Sequence, residues 1–329
     1  MDELRPPEIV AHADWSKDQA GRSIAVARRS GSEWLVAAPV PVRELSTLVD
    51  WLLAEAGDGG SAFLGVDFPI GLPAEYARSA RISDFMTWLP RAGRGAWSEF
   101  FEPATLPSEI SLHRPFYPLR NAAKGQILRD HLVRALGVAG FADIHRLCDR
   151  GQPNRAAAAA LFWTLGGNQV GKAAISGWRD LLQPELRLTR RRIHVWPYEG
   201  ALADLLARPG LTLAETYPGE IYAHLDLTIR ERHKSKIKPT HRVDDADQLL
   251  GWAAANGVRL ADSARQSIAT GFRSDHDFDA TVGLFGMINI LRGNRPEGAP
   301  DNPLIRTVEG WILGQLAPGT AIEIGRPRP

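Results

Sequence analysis

Ile9-Val10-Ala11-His12-Ala13-Asp14 is an apolar run that ends on a carboxylate, followed by Trp15-Ser16 and a polar turn through Lys17-Asp18-Gln19-Ala20-Gly21. Beyond that turn, Ser23 to Ala27 reads as a second strand, and Arg29-Ser30-Gly31-Ser32 as the turn into a third at Trp34 to Ala38. Short strands spaced closely by turn residues predict a β-meander. Arg43 to Glu55 then sets Leu45, Leu48, Val49, Leu52 and Leu53 at helical spacing, and Gly57-Asp58-Gly59-Gly60 stops it. Ala62 to Val66 is a fourth strand, ending on an acid in Asp67-Phe68-Pro69-Ile70-Gly71-Leu72-Pro73. Three strands, a helix and a strand that pairs in parallel with the first predict an α/β fold, a mixed sheet covered by helices.

From about residue 74 to 190 the pattern changes to helices and loops without clear strands, which predicts a large, mostly helical insertion in a single domain spanning 1–329. Its best helices are Gln126 to Leu136, Phe141 to Leu147 and Arg155 to Leu165, the last carrying the alanine run Ala156 to Ala160. Strands resume at Arg192 to Trp196 and Leu211 to Glu215. Helices follow from about Asp244 to Asn256, Ser263 to Thr270 and Phe278 to Leu291.

The net charge of +1 over 329 residues gives no global field that would recruit nucleic acid or an anionic membrane, so any such attraction must be local. One cysteine, Cys148, excludes an internal disulfide, and the start Met1-Asp2-Glu3-Leu4-Arg5-Pro6 lacks a signal-peptide pattern; both point to the cytoplasm. No apolar run reaches the roughly eighteen residues that a membrane span needs.

Acids punctuate the strands. Asp14 closes the first, Asp67 the fourth, and Glu215 a later one in Ala214-Glu215-Thr216-Tyr217-Pro218; Ser274-Asp275-His276-Asp277-Phe278-Asp279-Ala280 stands at the last long helix. Ligands of open α/β sheets bind outside the carboxyl ends of strands, where such acids can converge. On a helix Asp275 and Asp279 share a face, while Asp277 points elsewhere. Clustered carboxylates repel unless protons or cations are present, and oxygen-only ligands favour hard ions. A single Asp after a strand also serves as a turn former or a helix cap, and Asp275 or Asp277 suits a cap.

His12-Ala13-Asp14-Trp15-Ser16, Gly65-Val66-Asp67-Phe68-Pro69-Ile70-Gly71-Leu72-Pro73, Glu215-Thr216-Tyr217-Pro218 and Asp275-His276-Asp277-Phe278-Asp279-Ala280 occur in this order. With Gly167-Asn168-Gln169-Val170-Gly171 and Val195-Trp196-Pro197-Tyr198-Glu199, they resemble domain-of-unknown-function family 429, a bacterial and archaeal family of predicted RNase H-like nucleases. The resemblance implies an RNase H-like mixed sheet of five strands, the first three antiparallel, flanked by helices. It matches Asp14, Asp67 and Asp279 to the acids of the superfamily nucleases, with Asp275 as a possible fourth. Glu215 matches only the family's own strand motif. The same superfold carries sugar kinases and actin-like ATPases, so fold alone does not fix function.

Gly166-Gly167-Asn168-Gln169-Val170-Gly171-Lys172-Ala173 approaches the phosphate-cradling loop but puts Ala173 where a hydroxyl should meet Mg²⁺, and a helix precedes it where that motif needs a strand. Lys172 then reads as a substrate phosphate contact, or the loop as a plain turn. Arg187, Arg190, Arg191 and Arg192 form one basic cluster; Arg230, Arg232, Lys234, Lys236, Lys238 and Arg242 form another past the Glu215 strand. Such patches suit phosphate backbones, and a solvated loop explains a lysine run as well. His12 is expected on the opposite strand face from Asp14, and His276 at the surface of a helix start. No Cys/His spacing fits zinc, and there is no serine nucleophile elbow.

The expectation is a Mg²⁺- or Mn²⁺-dependent phosphodiesterase acting on DNA or RNA by a two-metal mechanism. Asp14, Asp67, Glu215 and Asp279 are its catalytic residues, Asp14, Asp67, Asp279 and Asp275 its metal ligands, and Lys172, Lys234, Lys236 and Lys238 its substrate contacts. The alternatives are a metal- or nucleotide-binding protein without turnover, and an ATP-dependent phosphotransferase. The latter needs Gly- and Thr-rich phosphate hairpins, which the turn Lys17 to Gly21 lacks.

Overall fold

The structure, a computed structural model, describes residues 6–16, 18–119, 129–151, 156–165 and 170–317, which fall into two compact units. The first takes in the chain up to Asp67, Arg192–Ala299 and the chain from Ile312; the second takes in Phe68–Arg191 and Pro300–Trp311. No helix among the described residues is long and apolar enough to cross a membrane.

The first unit holds one mixed sheet. Its strands are β1 (Ile9–Asp14), β2 (Ser23–Ser30), β3 (Glu33–Val36), β4 (Val40–Pro41), β5 (Ser61–Val66), β6 (Ile193–Val195), β7 (Gly210–Glu215) and β8 (Val258–Leu260). They run in the order β6-β7-β5-β1-β2-β3-β8, with β4 also paired to β2. The expected meander is present: β1, β2 and β3 pair antiparallel. Gly31, at φ 64°, makes the β2–β3 turn in the left-handed region that glycine enters without strain. The expected parallel return is present too, with β5 on β1 and β7 on β5. Eight strands exceed the five implied by the resemblance, because β4, β6 and β8, of two, three and three residues, extend the pairing.

β1 is buried at every position, as a central strand covered on both faces should be. Helix α1 (Leu45–Ala56) buries Leu48, Val49 and Leu52, and α2 (Pro218–His224) follows β7. Helix α3 (Asp275–Leu291) is buried on all sides from Asp277 to Ile290, which makes it the axis of this unit. The helix starts where Ser274 Oγ accepts the backbone N–H of Asp277 at 3.1 Å, so the cap is Ser274 and neither Asp275 nor Asp277. Two glycines let α3 approach the sheet. A Cβ on Gly283 would lie 2.2 Å from the His12 ring, and one on Gly65 would lie 2.5 Å from Met287 Sδ.

His12 thus corrects an expectation. It lies on the α3 face of β1, and so does Asp14, which bonds to His276 of α3. Strand side chains alternate with period two, so residues 12 and 14 share a face. His12 is fully buried; burial pushes its imidazole down to about 3, against an opposing backbone contact from Ala280, so the ring is neutral.

The second unit is mostly helical and aromatic. Phe85, Trp88, Phe100, Phe116 and Trp178 make edge-to-face contacts, and Trp178 Nε1 donates to the Pro69 carbonyl at 2.6 Å. Two helix expectations fail here. Ala156 to Leu165 forms no helix: Ala158 N donates to Asp149 O at 2.8 Å, and Tyr117 N donates to Phe162 O at 2.9 Å. Tertiary partners for the backbone override alanine's helix propensity, which is worth only tenths of a kcal/mol per residue. Phe141 to Leu147 forms only short 3₁₀ turns, Phe141–Ile144 and Leu147–Asp149. The helix expected from Gln126 runs Asp130–Leu136 in the described part; residues 126–128, like Arg155, lie outside the described residues.

Candidate functional site

The carboxyl ends of β1, β5 and β7 lie level. Ala13 pairs with Val66, and Val66 with Glu215. The ladder continues from Asp67 N to Ala13 O at 3.1 Å and from Thr216 N to Val66 O at 2.9 Å. Asp14 and Asp67 therefore emerge as neighbours on one face, at the ends of two adjacent parallel strands. The same alternation sets Glu215 on the other face, with Ala13 and Val66. Glu215 is buried, and its charge still acts on Asp67.

The first turns of α3 meet these strand ends. His276 Nδ1 lies 2.6 Å from Asp14 Oδ2. One turn on, Asp279 is 1 % exposed and accepts from two donors, Tyr222 Oη of α2 and Lys236 Nζ. Asp277 accepts from Ser23 Oγ at 2.6 Å and pairs with Arg273, so it ties α3 to β2 away from the other acids. Asp275 is half-buried, and its charge acts on His276 and Arg242.

Lys236 sits on a built loop. Asp245, fully buried, accepts Thr228 N at 2.6 Å, Thr228 Oγ1 at 2.7 Å and Ile229 N at 2.9 Å. Arg242, also buried, donates to the carbonyls of Lys236 and of Gly271, the latter at 2.6 Å. Lys234 is engaged by Thr228 Oγ1 at 2.6 Å and Asp244 at 2.9 Å, while Lys238 is exposed. Of the four lysines expected at substrate, Lys236 reaches the acids, Lys234 braces the loop and Lys238 faces solvent. Lys172 belongs to the second unit, half-buried in the helix Val170–Gly177; Gly166 to Gln169 before it lie outside the described residues.

The charges are strongly coupled. Burial, then repulsion from Asp14, pushes Asp67 well above the usual carboxylate range, although Asp67 keeps a partial opening to solvent. Burial raises Asp279 to about 6; Lys236 opposes the rise and Asp14 adds to it. Burial alone would lower the Lys236 ammonium, but Asp279 and Asp14 outweigh it and hold the group charged. Burial and the adjoining Asp279 raise the Tyr222 phenol, so it stays a donor. Its bond to Asp14 raises His276.

Carboxylate oxygens are the donors that hard divalent cations take, and the repulsion at Asp67 is opposed by Lys236. The oxygens are not gathered around one point: among the described residues no group of three His, Cys, Asp or Glu side chains is set to hold an ion. Their partners account for this, since His276 holds Asp14 and both Tyr222 and Lys236 hold Asp279.

No family model, curated protein or solved structure matches the chain.

Tyr222 escaped the sequence reading because nothing in Gly219-Glu220-Ile221-Tyr222 marks it; only the packing of α2 on α3, where Gly286 meets Ile221, brings it to Asp279. His276 did carry a signal: it stands three residues before Asp279, one turn away on the same helix.

Proposed function

We propose that the first unit is an RNase H-like domain and that it works as a metal-dependent phosphodiesterase on nucleic acid. The observation that carries this reading is the convergence of Asp14 and Asp67, on adjacent parallel strand ends, with Asp279 of α3 in one coupled charge cluster. The strand order β3-β2-β1-β5-β7 within the sheet supports the fold, being the antiparallel meander followed by parallel strands that the resemblance implies.

In this reading Asp14, Asp67 and Asp279 hold Mg²⁺ or Mn²⁺. A bound divalent ion supplies an activated water and neutralises charge developing on phosphoryl oxygens. Asp14 is oriented by His276, whose partly exposed imidazole lies beside it. Tyr222 donates to one oxygen of Asp279, and the Lys236 ammonium meets the other. Exposed Lys238, Arg230 and Arg232 on the loop that carries Lys236 suit phosphate contacts along the strand.

Purified wild type and Asp14→Asn, given labelled single-stranded, duplex and junction substrates with and without Mn²⁺, test it. Cleavage that needs Mn²⁺ and disappears in the variant is the expected result. Absence of cleavage on every substrate sinks the phosphodiesterase reading. A second reading, metal or nucleotide binding without turnover, draws on the internal donors that already satisfy Asp14 and Asp279. Mn²⁺ binding without cleavage favours it.

A further inference from the structure

A cavity of about 890 Å³ opens in the second unit, a size within the roughly 300–1,000 Å³ usual for ligand sites. Arg129 and Arg150 line it, and both are exposed. Phe141 and Trp163 give it aromatic walls, and the alanines at 157–160 give it a wall that ends at Cβ. None of the described residues that line it is acidic. The neighbouring Asp149 is buried and doubly paired with Arg146, while the charge of Arg150 also acts on Glu309.

The walls are tied to one another. The Arg129 guanidinium lies 5.1 Å from the centroid of the Phe141 ring and 5.6 Å from that of Trp163, within cation–π range of both. The buried His145 imidazole joins two walls: Nδ1 lies 3.0 Å from the Phe141 carbonyl oxygen and Nε2 3.1 Å from that of Ala158. Ala158 N donates in turn to Asp149 O at 2.8 Å, and Trp163 N to Ala160 O at 3.0 Å. These bonds keep the alanine stretch out of a helix, and its methyl side chains leave the cavity open.

We infer that this cavity binds one base of a single-stranded nucleic acid together with an adjoining phosphate. Every base has a π face, and unpaired bases stack on aromatic rings and on guanidinium planes. Phe141, Trp163 and Arg129 supply both kinds of surface, and the exposed arginines supply the charge that a phosphate needs. Alanine methyls admit a flat group where longer side chains would fill the space. A duplex keeps its bases stacked on one another and offers no free face to such walls. These residues belong to the second unit alone and owe nothing to the metal reading of Asp14, Asp67 and Asp279.

Fluorescence anisotropy of a short labelled oligodeoxynucleotide, titrated with the full chain in EDTA, tests this without metal or cleavage. Wild type is expected to bind, with affinity falling as salt rises. Arg129→Ala and Ala157→Leu, each shown to be folded by thermal melts, are expected to weaken binding by about 5- to 150-fold, the worth of one stacked base. Ala157→Leu changes no charge, so its effect separates entry into the cavity from general attraction to a basic surface. No binding by wild type overturns the inference, as does wild-type affinity in either folded variant. Adenosine monophosphate competing as well as unlabelled oligonucleotide overturns the strand as ligand, and inorganic phosphate or polyglutamate doing so overturns base stacking. If Ala157→Leu does not fold, Arg129→Lys replaces it: it keeps the charge and loses the planar face, so wild-type affinity there overturns the stacking. Binding in EDTA without Mn²⁺-dependent cleavage of any substrate overturns the phosphodiesterase reading and leaves this one standing.

Discussion

The imidazole of His276 and the carboxylate of Asp14 lie 2.6 Å apart across 262 residues of chain, joining the first turn of α3 to the end of β1. His276 touches a proposed metal ligand and fixes its rotamer. Loss of such a supporting partner typically costs about 10–100-fold in metal affinity or activity. His276→Ala is therefore expected to lower Mn²⁺-dependent cleavage by about that factor, while Asp14→Asn abolishes it. Equal activity in His276→Ala and wild type would show that the contact does not orient Asp14.

Gly283 and His12 form a second long-range pair. A methyl on Gly283 would lie 2.2 Å from the imidazole of a fully buried histidine. Overpacking of that kind costs about 1–3 kcal/mol. Gly283→Ala should destabilise the protein by that amount in urea melts, and His12→Ala should remove most of the extra cost when the two are combined. Strict additivity of the two changes would refute the contact.

His224 sets a pH dependence. Burial lowers its imidazole below the usual value; Glu220, 3.9 Å away, opposes the shift and Arg295 adds to it. A histidine with a depressed folded-state value holds fewer protons folded than unfolded. Its destabilising effect is absent well above pH 6.5 and grows as pH falls below that value. His224→Gln should flatten the decline in stability below pH 6.5 relative to wild type, read from melts across pH 5 to 8.

Asp245 is fully buried and accepts three hydrogen bonds from Thr228 and Ile229. Asp245→Ala leaves those donors unpaired, at about 1–3 kcal/mol each for the buried ones. Hydrogen exchange is expected to rise sharply across 228–243, while β1 and β5 keep their protection. Uniform loss of protection across the sheet would mean that the loop is not a separate stability element.

The sheet was legible because its signals are local. Apolar runs ending in Asp14 and Asp67, with a helix between, fix the parallel pairing of β1 and β5 through hydrophobicity and turn chemistry alone. The strands β4 and β8 were not legible, because two or three residues carry no period. In the second unit, Ala156 to Ala160 carried a strong local helix signal that distant backbone partners overrode. At the site, Asp14, Asp67 and Asp279 were readable as chain-order acids. The face taken by Glu215 was not, because it follows from the register of β7 on β5. Tyr222 and the inward turn of Lys236 come from packing between elements far apart in sequence, which no spacing rule encodes.

The Lys236–Asp279 contact also has a consequence in the order of synthesis. The chain emerges from the ribosome with Asp14 and Asp67 first, Lys236 much later and Asp279 after it, by a further 43 residues. The positive group is therefore out before the last acid of the cluster, and before the helix that closes the site. At no stage does the nascent chain have to assemble the three acids without the lysine present.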